Sequence, residues 1–107
     1  MNTILLKRII RHIRGDPRRM DMHILSNPCR TTGCIGGWAC ILRHEVVDVD
    51  KARRLLKLDY VEADTLFYLG NWPTKYSIGY RNAKSLRGII KVTVNRINHF
   101  IKTKGAE

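Results

Sequence analysis

Three cysteines and one histidine lie close together in residues 29–44, at Cys29, Cys34, Cys40 and His44. Zinc prefers four nitrogen or sulfur ligands in a tetrahedron, so these four residues are a candidate ligand set. Cys40 and His44 are four residues apart and would share one face of a helix. Cys34 precedes Cys40 by six residues, about 240° around a helix. It would join the set only if the first helical turn were irregular.

The spacing of these four residues is similar to that of Cys3His zinc fingers that bind RNA. However, the intervening residues 35–39 are apolar and typical of a helix, whereas fingers of that class have charged and aromatic residues there. The sequence therefore favours thiols that pack near the start of a helix, while structural zinc stays open. We predict no metal and no cofactor.

Cys34 is also a candidate nucleophile, because the first turn of a helix lowers the pKa of a thiol. A tryptophan follows it at Trp38, a loose likeness to cysteine proteases, in which the tryptophan follows the cysteine directly. His23, His44 and His99 are possible bases, and nothing in the sequence selects one. Since the chain has neither a paired-carboxylate motif nor a phosphate-binding glycine loop, we predict a non-enzyme. A Cys34 thiol-dependent enzyme is the least favoured alternative.

The charge is concentrated at the two ends of the chain. The net charge is +11 in 107 residues. Residues 1–44 contain eight Lys and Arg against two Asp, and residues 65–107 contain eight against one Glu. Residues 45–64 contain four against six carboxylates. Such an excess favours a polyanionic partner or an acidic protein surface.

Composition also limits the compartment. With 44% hydrophobic residues the chain should fold. No apolar run reaches the length of a membrane span, and charges interrupt the apolar N-terminus, which argues against a signal peptide. An odd number of cysteines fits reduced thiols in the cytoplasm, that of a host cell if the protein is phage-encoded.

Periodicity predicts helices at both ends. Residues 3–14 have apolar positions at helical spacing, and Gly15-Asp16-Pro17 ends the pattern. Residues 16–31 read as a loop with a short turn. The last helix is predicted from about Asn82 to Lys102. Its buried stripe is predicted as Leu86, Ile90, Thr93 or Val94, Ile97 and Ile101, and its opposite face carries a basic stripe of Lys84, Arg87 and Lys91.

Three shorter helices are predicted between these two. The first runs from Gly33 to Arg43 behind a Thr32 N-cap, and its glycines at 36 and 37 indicate that another element comes close. The second is capped by Asp48. The third begins with a capping box from Asp59 to Glu62. Residues 74–81 read as a tyrosine-rich loop, and Trp72 as a core anchor. We predict one all-α domain, residues 1–107, of about five helices.

The segment order resembles small phage and bacterial proteins of unknown function with a Cys-Gly-Thr-x-x-Cys-Ile-Ala-Gly-Trp-Ala pattern. That pattern is followed by a Leu-rich helix, Ala-x-x-Leu-Phe, Trp-Pro and a terminal Arg-Ile-x-His-Phe-Ile. The matching residues are Cys29, Thr31, Cys34, Ile35, Gly37, Trp38, Ala39, Ala52, Leu55, Leu56, Ala63, Leu66, Phe67, Trp72, Pro73, Arg96, Ile97, His99, Phe100 and Ile101. Arg30 stands where glycine is usual, which argues against a tight turn after Cys29. The resemblance implies a phage setting and no specific activity.

Basic residues on the first and last helices are the candidate binding site. If these helices pack side by side, their charges merge into one surface that holds phosphates, and two tyrosines would stack bases. The partner would be nucleic acid or a nucleoprotein complex. The alternatives are an inhibitor that binds a host protein, such as an anti-CRISPR-like anti-defence protein, and two merely solvated helix faces. The candidate residues are Lys7, Arg11, Arg14, Arg18, Arg19, Lys84, Arg87, Lys91, Tyr76 and Tyr80.

Overall fold

Six α-helices and two short 3-10 turns account for most of the chain. A computed structural model describes residues 1–106. The 3-10 turns are Pro17–Arg19 and Leu69–Asn71. The helices are α1 (Thr3–Gly15), α2 (Ile35–Leu42), α3 (Val49–Leu55), α4 (Tyr60–Phe67), α5 (Thr74–Asn82) and α6 (Leu86–Thr103). The all-α class is confirmed, and the described chain has one helix more than the five predicted.

α1 forms because its apolar residues recur every three or four positions. The Asn2 side chain accepts a hydrogen bond from the Leu5 amide at 3.0 Å and so caps the helix. Asp16 is extended and Pro17 follows it, so the helix ends there. The buried side of α1 consists of Leu5, Leu6, Ile9, Ile10 and Ile13.

α2 begins later than predicted, with Cys34 as the N-cap instead of Thr32. The Cys34 thiol accepts a hydrogen bond from the Gly37 amide. Thr32 is not free to cap, because its hydroxyl donates to the Arg18 carbonyl at 3.0 Å. The prediction failed because a long-range contact took the hydroxyl that local spacing assigned to the helix.

The loop before α2 lies directly against the start of that helix, which explains the glycines. A Cβ at Gly37 would overlap the Leu25 carbonyl oxygen, and one at Gly33 would stand 2.5 Å from the same atom. The Cys34 amide donates to the Ile24 carbonyl at 3.0 Å. The close approach predicted from the paired glycines is therefore confirmed at Gly37. A tight turn at Cys29 also forms, since the Arg30 amide donates to the Asn27 carbonyl at 3.0 Å and Arg30 has φ of 58°, so the expectation against it was wrong.

The predicted caps of α3 and α4 are both present. Asp48 accepts from the Lys51 amide at 2.9 Å. Asp59 accepts from the Glu62 amide, and the Glu62 carboxylate accepts from the Asp59 amide, which completes the capping box. These caps matter because both helices are short and satisfy few of their own amides.

Residues 74–81, predicted as a loop, belong to α5. Weak helix formers such as Thr74 and Gly79 hide this helix in the sequence. It forms because it packs on α6, where a Cβ at Gly79 would lie 3.4 Å from the Val92 side chain. Tyr80 is buried on the inner side of this helix. Packing therefore overrides intrinsic propensity here.

α6 begins at Leu86 instead of Asn82, because the Ser85 hydroxyl accepts from the Gly88 amide at 3.1 Å. Leu86 was predicted as the first residue of the buried stripe, which is wrong, since it is 49% exposed. Most of the stripe is confirmed, and Arg96, also on its buried side, donates to the Thr65 carbonyl at 2.9 Å. The buried residues predicted and found are Ile90, Thr93, Val94 and Ile97.

Trp72 is a core anchor, as predicted. Its ring is 4% exposed, and its indole nitrogen donates to the Leu66 carbonyl at 2.8 Å. The Arg96 guanidinium lies 5.9 Å from the Trp72 ring and 5.4 Å from the Phe100 ring. In residues 1–106, every helix is too short or too polar to cross a membrane.

Candidate nucleic-acid interface

α1 and α6 pack side by side and form a groove of about 250 Å³ between them. We call this the basic groove. Arg14 contributes from α1, and Arg87 and Lys91 contribute from α6. Ile90 and Val94 are buried beside them. The groove lining is Arg14, Arg87, Ile90, Lys91, Val94 and Asn95. Cations that are over seventy residues apart in the chain thus face one space.

The three cations of the basic groove are not neutralised by the part of the chain that the structure describes. Its ion pairs join Asp16, Glu45 and Asp50 to other basic residues. Arg14, Arg87 and Lys91 are all exposed. Exposed cations without a carboxylate neighbour keep their full attraction for a phosphate.

Lys7 and Arg11 extend the positive charge over the outer side of α1. Both are exposed. At 100° per residue, Lys7 lies about 20° around the helix from Arg14, and Arg11 lies about 60° from it. The spacing of these three side chains therefore gives one continuous basic strip from the rim of the groove outward.

Arg18 and Arg19 do not join the basic groove. Arg18 contacts Asp16 through Nη2 at 2.8 Å and Nε at 3.0 Å, and this hydrogen bonding lowers the pKa of Asp16 to about 2. Arg19 donates to the His12 carbonyl at 2.8 Å and lines a cleft beside α2. The prediction that these two arginines extend the basic surface is therefore wrong, because Arg18 is paired with Asp16 and Arg19 lines another cleft.

Lys84 was predicted to lie on the last helix and does not. It is exposed in the connection before Ser85, which caps α6. The predicted stripe of Lys84, Arg87 and Lys91 is therefore reduced to its last two members. The error follows from the missed end of α5.

The two tyrosines have different environments. Tyr80 is 6% exposed, its hydroxyl accepts from the Met22 amide at 3.0 Å, and its ring meets Trp72 edge-on at 5.7 Å. It is therefore unavailable for stacking with bases. Tyr76 is half-buried and lines a second groove. That groove also contains Lys75, Asn95, Asn98, His99 and Lys102.

Asn95 lines both grooves, so the polar face of α6 is continuous from Arg87 to Lys102. At 1.5 Å per residue this face is about 22 Å long, equal to the axial rise of about six phosphates of one DNA strand. Lys75, Asn95 and Lys102 were not among the predicted binding residues. The polar positions of α6 recur at i, i+4 and i+7, and this spacing could have identified Asn95 and Lys102 from the sequence.

Replacing Tyr80 by phenylalanine should lower the free energy of unfolding by about 1–3 kcal/mol, because the Met22 amide loses its buried acceptor. Urea unfolding measures this loss. Replacing Tyr76 by leucine keeps an apolar side chain against the core and removes the aromatic ring, so it should cost less stability than Tyr80→Phe and weaken nucleic-acid binding a fewfold. If Tyr80→Phe weakened binding and left stability intact, the assignment of Tyr80 to the core would be wrong.

The fold does not bring the candidate zinc ligands together. Cys29 is exposed, whereas Cys34 and Cys40 are buried. Cys34 accepts from the Gly37 amide at 3.4 Å, and the Cys40 thiol is 3.5 Å from the Asp48 carbonyl. In residues 1–106, no three Cys, His, Asp or Glu side chains form a group that would hold a metal ion. Cys34 is packed at the start of α2 as predicted, whereas Cys40 is packed near its end, against the N-cap of α3.

The environment of Cys34 is unfavourable for a nucleophile. Burial raises the pKa of its thiol, and the hydrogen bond from the Gly37 amide only partly offsets this. Burial likewise raises the pKa of Cys40. A raised pKa leaves little thiolate at neutral pH, and burial blocks access to it.

Alkylation should therefore modify one thiol quickly and two slowly. With iodoacetamide at pH 7.5, Cys29 should react within minutes, and Cys34 and Cys40 should react only as fast as the protein unfolds. Intact mass against time, followed by peptide mapping, measures the three rates. Rapid modification of Cys34 in folded protein would restore the thiol-enzyme hypothesis.

No protein-family model, curated protein or solved structure matches this chain. The similarity to small phage proteins therefore stays a prediction. The charges and contacts of the site itself place Arg14, Arg87 and Lys91 around one groove.

Proposed function

We propose that this protein is a non-enzymatic accessory protein that binds nucleic acid, free or in a nucleoprotein complex, through the basic groove. The observation that carries the proposal is the convergence of Arg14, Arg87 and Lys91 with no carboxylate in the groove lining of the described chain. In the phage setting that the resemblance implies, the protein would act in the cytoplasm of the host cell.

Phosphates would bind by displacing counterions. Each Lys or Arg that meets a phosphate releases about one condensed cation from duplex nucleic acid, which makes the affinity depend on salt. Arg14 and Arg87 offer guanidinium groups that contact two phosphate oxygens at once. Contacts of this kind fix the position of the strand and carry little sequence information, so we expect weak sequence specificity.

Nucleotide stacking would occur at the far end of the same face. Tyr76 lies beside Lys75, whose ammonium is 5.7 Å from the ring centroid. An aromatic ring next to a cation is the usual arrangement for a single-stranded base. Single strands should therefore bind at least as well as duplexes of the same length.

Fluorescence anisotropy with labelled single-stranded and duplex oligonucleotides of mixed sequence tests the proposal. The wild-type protein should bind at 50 mM salt and lose most of its affinity by 200 mM. Absence of binding at 50 mM, or an affinity that salt does not change, would remove it.

An inhibitor of a host defence protein is the second candidate function. The observation that favours it is Ile4, which is 79% exposed on the outer side of α1. At 100° per residue it lies about 20° from Arg11. An exposed apolar residue among cations fits a protein surface better than a phosphate backbone. The basic side of α1 would then occupy an acidic or nucleic-acid-binding site on the partner.

Nuclease treatment separates the two functions. Tagged wild-type protein and an Ile4→Ser variant are used to capture partners from host lysate, with and without nuclease. A partner that survives nuclease and is lost with Ile4→Ser favours the inhibitor. A partner that disappears with nuclease favours binding to nucleic acid.

A further inference from the structure

A second cleft, of about 320 Å³, lies between α1, the loop before α2, and α2 itself. This volume is at the lower end of the range for small-molecule sites. On α1, Arg8 and His12 line it, and Arg8 is about 120° around the helix from Arg14. The cleft is therefore separate from the basic groove. Its lining is Arg8, His12, Arg19, Arg30, Thr31, Trp38, Ile41, Leu42 and His44.

The rim of this cleft is positive. Three arginines and two histidines line it, and within residues 1–106 none of the lining residues is acidic. Arg19 donates to the His12 carbonyl and Arg30 to the Glu45 carbonyl, each at 2.8 Å. One such bond fixes each guanidinium and leaves further N–H donors for a ligand. The pKa of His12 is lowered, first by burial and then by Arg19 and Arg8.

The floor of the cleft is apolar and aromatic. Ile41 and Leu42 are its half-buried part, and Trp38, which is 2% exposed, also lines it. The Trp38 indole nitrogen donates to the Arg19 carbonyl at 2.7 Å, which joins the floor to the rim. The half-buried His12 ring lies 4.3 Å from the Trp38 ring, so a flat aromatic ligand in the cleft would contact the His12 ring.

Two cleft residues are held in the left-handed region of backbone space. Arg30 has φ of 58° and His44 has φ of 56°. Glycine occupies this region most easily. A long charged side chain and an imidazole stand here instead, both lining the same cleft. His44 follows the end of α2, where this conformation commonly terminates a helix, as it also does at Lys57 and Lys104. Arg30 precedes α2, so it is the cleft residue whose left-handed backbone no helix end explains.

From these observations we infer that the cleft binds one nucleoside phosphate unit. The arginines would hold the phosphate through charge-assisted hydrogen bonds, and the base would lie on the apolar floor beside His12. A ligand with both a phosphate and a base fits the cleft best. A phosphate alone would make no contact with the apolar floor, and a nucleoside alone would leave three guanidinium groups without an anion. The unit is either a free mononucleotide or an unpaired nucleotide of a bound strand.

The first test compares three probes by isothermal titration calorimetry: adenosine 5′-monophosphate, adenosine and inorganic phosphate. The monophosphate should bind at least tenfold more tightly than either of the others. The proton signal of the Trp38 indole should shift with the monophosphate. Equal affinity for inorganic phosphate would overturn the inference, because it would mean attraction of anions only.

Arg30→Gly is the decisive variant, since glycine relieves the left-handed backbone while removing the charge. Its melting temperature should stay the same or rise, and its affinity for the monophosphate should fall at least tenfold. Arg8→Gln should do the same from α1. Lys57→Gly is the matched control, because it removes a positive charge from another exposed left-handed position, with φ of 55°, outside the cleft, and it should change the affinity less than twofold. An unchanged affinity in Arg30→Gly, or an equal loss in Lys57→Gly, would overturn the site.

The source of the nucleotide is decided with a single-stranded oligonucleotide. If the unit is part of a strand, the oligonucleotide should shift the Trp38 indole signal and bind less tightly to Arg30→Gly. If it is a free mononucleotide, the oligonucleotide should leave Trp38 unchanged. This comparison assigns the source, and the monophosphate titration decides whether the cleft binds a nucleotide at all. The free monophosphate tests the cleft whether or not the basic groove binds nucleic acid, so the two proposals fail separately.

Discussion

Replacing Gly37 by alanine is expected to destabilise the protein by more than about 3 kcal/mol, beyond the usual cost of overpacking. The new Cβ would overlap the Leu25 carbonyl oxygen. That oxygen is a backbone atom, so it cannot rotate away. The loop would have to separate from α2, which would also break the hydrogen bond from the Cys34 amide to the Ile24 carbonyl.

Gly36 is the matched control for this experiment. A Cβ there would lie 3.4 Å from the Phe67 ring, an ordinary contact. Alanine at this helical position should be neutral or stabilise the protein by up to about 1 kcal/mol. Thermal unfolding should place Gly37→Ala at least about 12 °C below the wild type and Gly36→Ala at or above it. Equal melting temperatures for the two variants would contradict the role of the loop.

Replacing Arg14, Arg87 and Lys91 together by glutamine should reduce nucleic-acid affinity by at least about 100-fold at 50 mM salt, because three phosphates would no longer be neutralised. The three side chains are exposed, so the fold should remain. Fluorescence anisotropy measures the affinity, and circular dichroism checks that the helices persist.

A second triple variant controls for net charge. Arg43, Lys57 and Lys104 are exposed and do not line the basic groove. Replacing them by glutamine removes the same three charges from the net +11. This control should lose less than about tenfold in affinity, since only the long-range attraction changes. Similar losses in both variants would mean that the net charge alone attracts nucleic acid.

The sequence correctly predicts the starts of α3 and α4, which have local capping residues. Asp48 and the pair Asp59 and Glu62 mark two helix starts correctly, because capping is a local hydrogen bond between residues three apart. The glycine at 37 correctly indicates a close approach, although the identity of the approaching atom, the Leu25 carbonyl oxygen, is a tertiary fact.

The predictions that failed depended on distant contacts. α5 contains few strong helix formers and is stabilised by packing on α6, so local propensity predicts a loop there and assigns Lys84 to the wrong element. Tyr80 was expected to stack bases, but the Met22 amide occupies its hydroxyl. Arg19 donates to the His12 carbonyl of α1 and lines the cleft beside α2 instead of the basic groove. The hydrogen-bond partners of Arg19 and Tyr80 lie seven and 58 residues away, beyond the three- or four-residue spacing that local patterns report.

The salt dependence of binding tests the central claim most directly, namely that the basic groove contacts phosphates. The logarithm of the affinity for a duplex is measured against the logarithm of salt concentration for the wild type and both triple variants. The groove variant should have a slope shallower than the wild type by about 2.7, or about 0.9 for each phosphate that is no longer neutralised, while the control keeps the wild-type slope. If the groove variant also kept that slope, the phosphates would lie elsewhere on the protein.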